Sequence, residues 1–131
     1  MIGLDTNVLV RYVTQDDPIQ SPKATELIES LSAEKPGFIT MVSVVELVWV
    51  LRSCYHLEKE KIVHVLKILL RTRELILERA EIVWQALRLF SRSKADFADC
   101  LIERCAHAAE CEYTLTFDSK AAETVGMCQI L

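Results

Sequence analysis

Acidic side chains stand at four places in this sequence where the local pattern predicts the end of a strand or the start of a helix. They are Asp5, Glu46, the pair Asp96 and Asp99, and Asp118. Right-handed crossovers bring the C-terminal ends of parallel strands to one edge of a sheet, and ligands bind at that edge in open α/β folds. Because hard divalent cations prefer oxygen ligands, the pattern favours a shared Mg²⁺ or Mn²⁺ site.

Each of these carboxylates also has an ordinary structural interpretation. Asp5, Asp96 and Asp118 could cap the helices that follow them by accepting a hydrogen bond from a backbone N–H. Glu46 fits the last position of a capping box. Asp99 is harder to explain in this way, because its neighbours are apolar and an unpaired carboxylate is costly to bury. Four independent caps would not explain why all of them are acidic, since Ser, Thr and Asn cap about as well.

Other catalytic chemistry finds little support in the sequence. The three histidines, His56, His64 and His107, lie away from the acidic positions, so no acid–base pair or nucleophile–histidine pair is indicated. The five cysteines include no C-x-x-C pair and no spacing that is typical of zinc sites. We expect these cysteines to be reduced and mostly buried.

The elements that must position the acidic residues form an alternating pattern. Apolar runs predict strands at residues 2–4, 38–41, 113–116 and 128–131. Helical spacing predicts helices at residues 6–12, 22–31, 43–54, 57–71, 80–92, 97–111 and 118–124, with residues 73–78 as a short extended link. Strands separated by helices imply an α/β fold with a central parallel sheet of about four to five strands and helices on both faces.

Length and composition narrow the classes of protein further. The 131 residues fit a single domain, 1–131. The hydrophobic fraction of 51% is high for a soluble chain, so we expect a partner or a homodimer to cover part of the surface. The net charge of −4 provides no global basic field, and any contact with nucleic acid must therefore be local. No apolar run approaches the roughly 20 residues that span a bilayer, and we expect a cytoplasmic protein with no membrane contact.

Four segments taken in order resemble the PIN-domain nucleases. They are Asp5-Thr6-Asn7 after an apolar strand, Glu46 in the context SVVEL, residues 95–102 reading ADFADCLI, and residues 116–118 reading TFD. Within that family the chain is most similar to the VapC toxins of bacterial toxin–antitoxin pairs, and the resemblance covers essentially the whole chain.

The resemblance implies a three-layer α/β/α PIN-like ribonuclease domain that hydrolyses RNA with Mg²⁺ or Mn²⁺. Asp5, Glu46, Asp99 and Asp118 match the acidic core, which is both catalytic and metal-binding in that family. Asp96 matches an auxiliary acid, and Thr6, Asn7 and Thr116 match residues that support the carboxylates. The resemblance also implies a small VapB-like antitoxin as partner, and a homodimer.

Four basic residues lie close in sequence to the acidic positions, and they could hold RNA phosphates locally. They are Arg11, Arg52, Lys94 and Lys120. For each of them, an ordinary solvated surface charge is at least as good an explanation as phosphate binding.

Two alternative functions stay open at the level of sequence. A catalytically degenerate PIN-like chain could act only as a binding module, although acids at every expected position argue against it. An aspartate-nucleophile phosphatase also carries an aspartate after its first strand, but it needs a second aspartate two residues later, where this chain has Asn7.

Overall fold

The computed structural model describes residues 1–124 and 126–131. The chain divides into two compact units, residues 1–78 and residues 79–131. Both units combine α-helices with short parallel strands. Within the described residues, no helix is long and apolar enough to cross a membrane.

The first unit is built on a three-stranded parallel sheet. Its strands are β1 (Ile2–Gly3), β2 (Gly37–Ile39) and β3 (Leu75–Leu77), hydrogen-bonded in the order β1-β2-β3. Helices α1 (Thr6–Thr14) and α2 (Gln20–Glu29) connect β1 to β2, and helices α3 (Met41–Ser53) and α4 (Lys59–Arg71) connect β2 to β3. Parallel neighbours require such crossovers, because the chain must return to the same end of the sheet before the next strand begins.

Aliphatic side chains form the core of this unit. The fully buried ones are Leu9 on α1, Ile39 on β2, Val44, Leu47 and Leu51 on α3, and Ile62, Leu66 and Leu69 on α4. The chain packs so closely at Gly37 that a Cβ there would lie 2.8 Å from Leu4 Cδ1 and 2.9 Å from Leu31 Cδ1. This packing fixes the start of α1 and the whole of helix α3, and both carry candidate site residues.

The second unit contains a helix pair and a pair of parallel strands. Helices α5 (Ala80–Arg92) and α6 (Phe97–Ala108) precede β4 (Thr114–Thr116), a single 3₁₀ turn (Ala121–Glu123) and β5 (Met127–Gln129). The rings of Phe90 and Phe97 meet edge to face, with centroids 5.8 Å apart and planes at 85°. This contact and the buried Cys100 and Leu101 anchor the start of α6, where two of the acidic residues lie.

The structure confirms the predicted α/β class and the parallel strands, with several differences in detail. Residues 75–77 form β3, although the sequence predicted only an extended link there. The strands of the described chain hydrogen-bond as a sheet of three and a pair, whereas the sequence predicted one central sheet. The predicted helix at 118–124 is reduced to the 3₁₀ turn, and α3 begins at Met41 rather than at Ser43.

The prediction that the cysteines are mostly buried is wrong. No disulfide joins cysteines of the described chain, but Cys54, Cys111 and Cys128 are exposed, and only Cys100 is fully buried. The prediction treated cysteine as an apolar residue that is usually buried. Cys54 and Cys111, however, lie just beyond the ends of helices, and Cys128 lies on a short strand whose side chains are largely open to solvent.

Candidate active site

Asp5 lies two residues beyond the end of β1 and is the N-cap of α1. Its backbone is extended, with φ −76° and ψ 157°, and its Oδ1 accepts a hydrogen bond of 2.8 Å from the Thr6 N–H. The capping role considered from the sequence is therefore real. It occupies one carboxylate oxygen, and Oδ2 makes no hydrogen bond with any residue that the structure describes. Asp5 can thus cap its helix and still offer an oxygen to a ligand.

Glu46 is exposed on α3, and its partner is a residue of α1. The Thr6 hydroxyl, which is buried, donates a hydrogen bond of 2.7 Å to Glu46 Oε1. The capping box considered from the sequence does not form, because β2 ends at Ile39 and Thr40 is the N-cap of α3, accepting from the Ser43 N–H at 3.1 Å. The Thr6 hydroxyl therefore restrains one oxygen of the Glu46 carboxylate.

A cavity of about 460 Å³ in the first unit brings these two acids together. Its lining includes Asp5, Asn7, Arg11, Glu46 and Tyr55. We call it the acidic cavity. Asn7 is exposed and follows Thr6 in the first turn of α1. The first unit therefore holds two of the predicted site acids around a single space of ligand size.

Arg11 is held in the lining of this cavity by a network of hydrogen bonds. Its Nη1 donates to Asp16 Oδ1 at 3.1 Å and to the Tyr55 hydroxyl oxygen at 3.3 Å, and its Nε donates to Gln20 Oε1 at 2.9 Å. The Tyr55 hydroxyl in turn donates to Asp16 Oδ2 at 2.6 Å, and the Thr14 hydroxyl donates to Asp16 Oδ1 at 2.7 Å. These bonds, that from Tyr55 most of all, lower the pKa of Asp16 to about 2.

Three acids lie within electrostatic range of one another in the second unit. Asp96 is the N-cap residue of α6 by backbone conformation, but its side chain makes no capping hydrogen bond. Asp99 lies in the first turn of α6 and is partly buried. Burial, followed by the negative charges of Asp96 and Asp118, raises the pKa of Asp99. Desolvation and like charge both disfavour an ionised carboxylate, and a bound cation would oppose both effects.

Asp118 follows β4, and its side chain binds backbone N–H groups at the start of the 3₁₀ turn. Its Oδ1 accepts hydrogen bonds from the Lys120 N–H at 2.8 Å and the Ala121 N–H at 3.4 Å. The Asp118 N–H donates to the Thr116 hydroxyl oxygen at 3.0 Å, so Thr116 restrains the acid from the strand side. Asp118, like Asp5, has one oxygen that makes no hydrogen bond with a described residue.

The other basic candidates from the sequence stand apart from such networks. Arg52 is exposed in the last turn of α3, Lys94 is exposed between α5 and α6, and Lys120 is exposed at the start of the 3₁₀ turn. None of the three forms an ion pair with a residue in the described ranges. Arg11 is the candidate whose position is determined by its neighbours.

The chemistry of the donors fits a hard divalent cation. The candidate ligands are all carboxylates, and two of them keep an oxygen that is not used in capping. Within residues 1–124 and 126–131, no group of three or more His, Cys, Asp or Glu side chains is close enough together to hold a metal ion. Asp5 and Glu46 belong to the first unit, and Asp96, Asp99 and Asp118 belong to the second.

Three polar residues of the first unit were not among the site residues that the sequence predicted. Glu78 directly follows β3, and its Oε1 accepts a hydrogen bond of 2.9 Å from the Met41 N–H at the start of α3. Asp16 and Tyr55 form the network around Arg11. An acid after a strand was a usable signal for Glu78, once residues 75–77 had been recognised as a strand. No local pattern pairs Asp16 with Tyr55, because 39 residues separate them.

Comparison with known proteins assigns the chain to a family. The sequence profile described as PIN domain matches residues 2–126, which is nearly the whole chain and includes every candidate site residue. No curated protein matches the sequence significantly.

Proposed function

We propose that this chain, which belongs to the PIN domain family, is a metal-dependent endoribonuclease that hydrolyses RNA phosphodiester bonds. Members of the family are generally nucleases and usually depend on divalent metals. The observation that carries the proposal is the pairing of Asp5 and Glu46 around the acidic cavity. The raised pKa of the partly buried Asp99, caused by burial and by the charges of Asp96 and Asp118, supports it. Perturbed carboxylates of this kind are concentrated at functional sites.

We assign the metal to Asp5, Glu46, Asp99 and Asp118, with Asp96 as an auxiliary acid. Mg²⁺ or Mn²⁺, when bound, lowers the pKa of a water molecule and offsets the charge that develops on the phosphodiester. A divalent cation suits these acids, since neighbouring carboxylates repel one another and repel an RNA phosphate.

The chain's own residues orient the groups that act on the substrate. The Thr6 hydroxyl holds one oxygen of Glu46 and leaves the other oxygen to bind the metal or to orient the attacking water. Thr116 and the N–H groups of Lys120 and Ala121 restrain Asp118 in the same manner. Such positioning lowers the barrier, because the reacting groups do not have to be ordered during the reaction.

We further propose that the protein is the VapC-like toxin of a toxin–antitoxin pair, acting in the cytoplasm as a single-domain homodimer with a VapB-like antitoxin. The order and spacing of the four acidic segments support this assignment. The surface of α3 also supports a protein partner, because Val42 and Trp49 lie on one side of that helix and are 70% and 63% exposed.

Cleavage of labelled single-stranded and structured RNA by the purified chain tests the proposal. We expect cleavage with Mg²⁺ or Mn²⁺, none with EDTA, and almost complete loss in the Asp99→Asn variant. The His107→Ala variant changes an exposed residue on α6 and should cleave like the wild type. Wild-type cleavage in EDTA, or undiminished cleavage by the Asp99→Asn protein, would refute the metal mechanism.

Thermal unfolding tests whether the folded chain binds a divalent cation. A ligand that binds only the folded state stabilises it by RT ln(1 + [L]/Kd), about 1.4 kcal/mol at ten times Kd. We expect millimolar Mg²⁺ or Mn²⁺ to raise the Tm by a few degrees. The Asp99→Asn variant should lose most of this response, and the Glu60→Gln variant, which changes an exposed acid of α4, should keep it.

The two alternative functions would give different results. RNA binding without metal response or cleavage would indicate a binding module, and hydrolysis of a phosphomonoester would indicate a phosphatase.

A further inference from the structure

The guanidinium group of Arg11 is held along one edge and left open along the other. Nε and Nη1 donate to Gln20, Asp16 and Tyr55, whereas Nη2 makes no hydrogen bond with any residue that the structure describes. The guanidinium is planar, and its N–H groups form a rigid fork that matches the oxygens of a phosphate. An arginine already fixed by three partners loses less side-chain entropy when it binds a ligand.

The position of Arg11 places this cation beside the candidate catalytic acids. Arg11 lines the acidic cavity together with Asp5 and Glu46, and it also lines an adjacent cavity of about 260 Å³ between α1 and α2. Among the described residues that line the acidic cavity, Arg11 is the only basic one. A negatively charged RNA strand entering this space meets two carboxylates, so a fixed positive charge is needed to attract it.

Asp16 and Tyr55 determine where that charge lies. Asp16 receives hydrogen bonds from Arg11, Thr14 and Tyr55, and its negative charge is therefore shared among three donors. The Tyr55 hydroxyl accepts from Arg11 and donates to Asp16, joining the segment after α3 to the end of α1. Removing either side chain would take away one of the three partners of the guanidinium and loosen its position.

We infer that Arg11 binds a phosphate of the RNA substrate beside Asp5 and Glu46, and that Asp16 and Tyr55 are positioning residues that aim its Nη2 edge at that phosphate. The inference rests on the proposed ribonuclease function and adds a substrate-binding subsite to it. Arg11 supplies affinity and register, since phosphate contacts fix the position of a nucleic acid without reading its sequence.

RNA binding without metal is the first test, because it does not depend on cleavage. Fluorescence anisotropy of a labelled single-stranded RNA in EDTA gives Kd at several salt concentrations. We expect the Arg11→Gln variant to bind about 10-fold more weakly. The slope of log Kd against log salt should fall by about 0.7, the value for one phosphate contact to a single strand. The Kd of the Arg11→Lys variant should lie between those of the wild type and the Arg11→Gln variant. The lysine ammonium keeps the positive charge but lacks the planar array of N–H groups that matches a phosphate.

The Arg73→Gln variant is the matched control. It removes the same charge from an exposed arginine of the first unit, which lines neither cavity, and it should bind RNA like the wild type. Equal losses in the Arg11→Gln and Arg73→Gln variants would show that only net charge matters and would overturn the inference. Far-UV circular dichroism at the assay temperature establishes that each variant is folded.

Cleavage kinetics test the positioning residues. The Tyr55→Phe variant keeps the ring and removes the hydroxyl, and we expect about a 3-fold higher KM with unchanged kcat. A purely structural role would lower the folded fraction, and hence the apparent kcat, at constant KM. Unchanged KM in both Tyr55→Phe and Arg11→Gln proteins that cleave normally would overturn the inference and leave the proposed function intact. Absence of wild-type cleavage would refute the proposed function, while the anisotropy result would still decide on the subsite.

Discussion

The network around Arg11 shows how a few polar contacts change the chemistry of a single surface residue. Hydrogen bonds from Tyr55, Thr14 and Arg11 stabilise the ionised form of Asp16 and lower its pKa to about 2. The same network raises the pKa of Arg11, chiefly through the hydrogen bond with Asp16. The network therefore favours the positively charged form of Arg11.

The pKa of Asp16 gives a prediction for stability against pH. The folded-state value lies below the unfolded value of about 3.9. The contribution of Asp16 to stability is therefore present above about pH 4 and is lost as the pH falls toward 2. We expect the Asp16→Asn variant to be less stable than the wild type at pH 7, and the difference in urea midpoint to shrink between pH 4 and pH 2.

A carboxyl titration by NMR checks the cause of this shift. Because the hydrogen bond from Tyr55 is the largest contribution, the Tyr55→Phe variant should titrate Asp16 closer to its ordinary value than the wild type does. An ordinary pKa near 4 for Asp16 in the wild type would contradict the network that the structure shows.

At the scale of the element, the start of α1 combines a helix cap with a candidate metal ligand. Replacing Asp5 with alanine removes one negative charge from the candidate site, which relieves repulsion between carboxylates. The structure shows that alanine also removes the acceptor for the Thr6 N–H. We therefore expect Asp5→Ala to cost about 1 kcal/mol in the free energy of unfolding, the usual value for a lost N-cap.

The Asp5→Asn variant separates the two roles of this residue. Asparagine caps a helix about as well as aspartate, so stability should stay close to that of the wild type while RNA cleavage is lost. Urea denaturation and the cleavage assay measure the two effects on the same protein. An active Asp5→Asn variant would exclude the charge of Asp5 from the reaction.

The residue that precedes β5 is a glycine whose backbone conformation other residues rarely adopt. Gly126 has φ +95°, and a Cβ there would lie 2.8 Å from Oε2 of the buried Glu103, which forms an ion pair with Arg104. We expect the Gly126→Ala variant to lose about 1–3 kcal/mol of stability. Gly3→Ala is the control, because no atom of the described residues lies within 4 Å of a Cβ built there, and this variant should be as stable as the wild type or slightly more so. Equal stability of both variants in urea would disprove the requirement at Gly126.

At the scale of the whole molecule, the proposed single domain predicts cooperative unfolding. The PIN domain profile matches residues 2–126 and therefore extends over both compact units. Each unit contains one of the two tryptophans, Trp49 in the first and Trp84 in the second. We expect each single-tryptophan variant, Trp49→Phe and Trp84→Phe, to show a fluorescence midpoint in urea that coincides with its own far-UV circular dichroism midpoint. Two separate midpoints would mean that the units unfold as independent domains.

The sequence by itself determined the features that depend on local preferences. Helix α5 was predicted at residues 80–92, and the structure has it there, because apolar residues repeat along one face for its full length. The positions of Asp5, Asp96 and Asp118 beside helix or turn starts were also readable, since capping residues act within three positions of their own place in the chain.

Only the tertiary structure decided the features that depend on distant partners. Strand β3 has three residues, too few for a periodic signal, and it is a strand because Leu75 and Leu77 pair with β2. Glu46 lies 40 residues from Thr6, and Tyr55 lies 39 from Asp16, so neither contact has a local signature. Such contacts arise when the packed core brings α3 against α1, and the burial that stabilises this arrangement is a property of the whole fold rather than of any short segment.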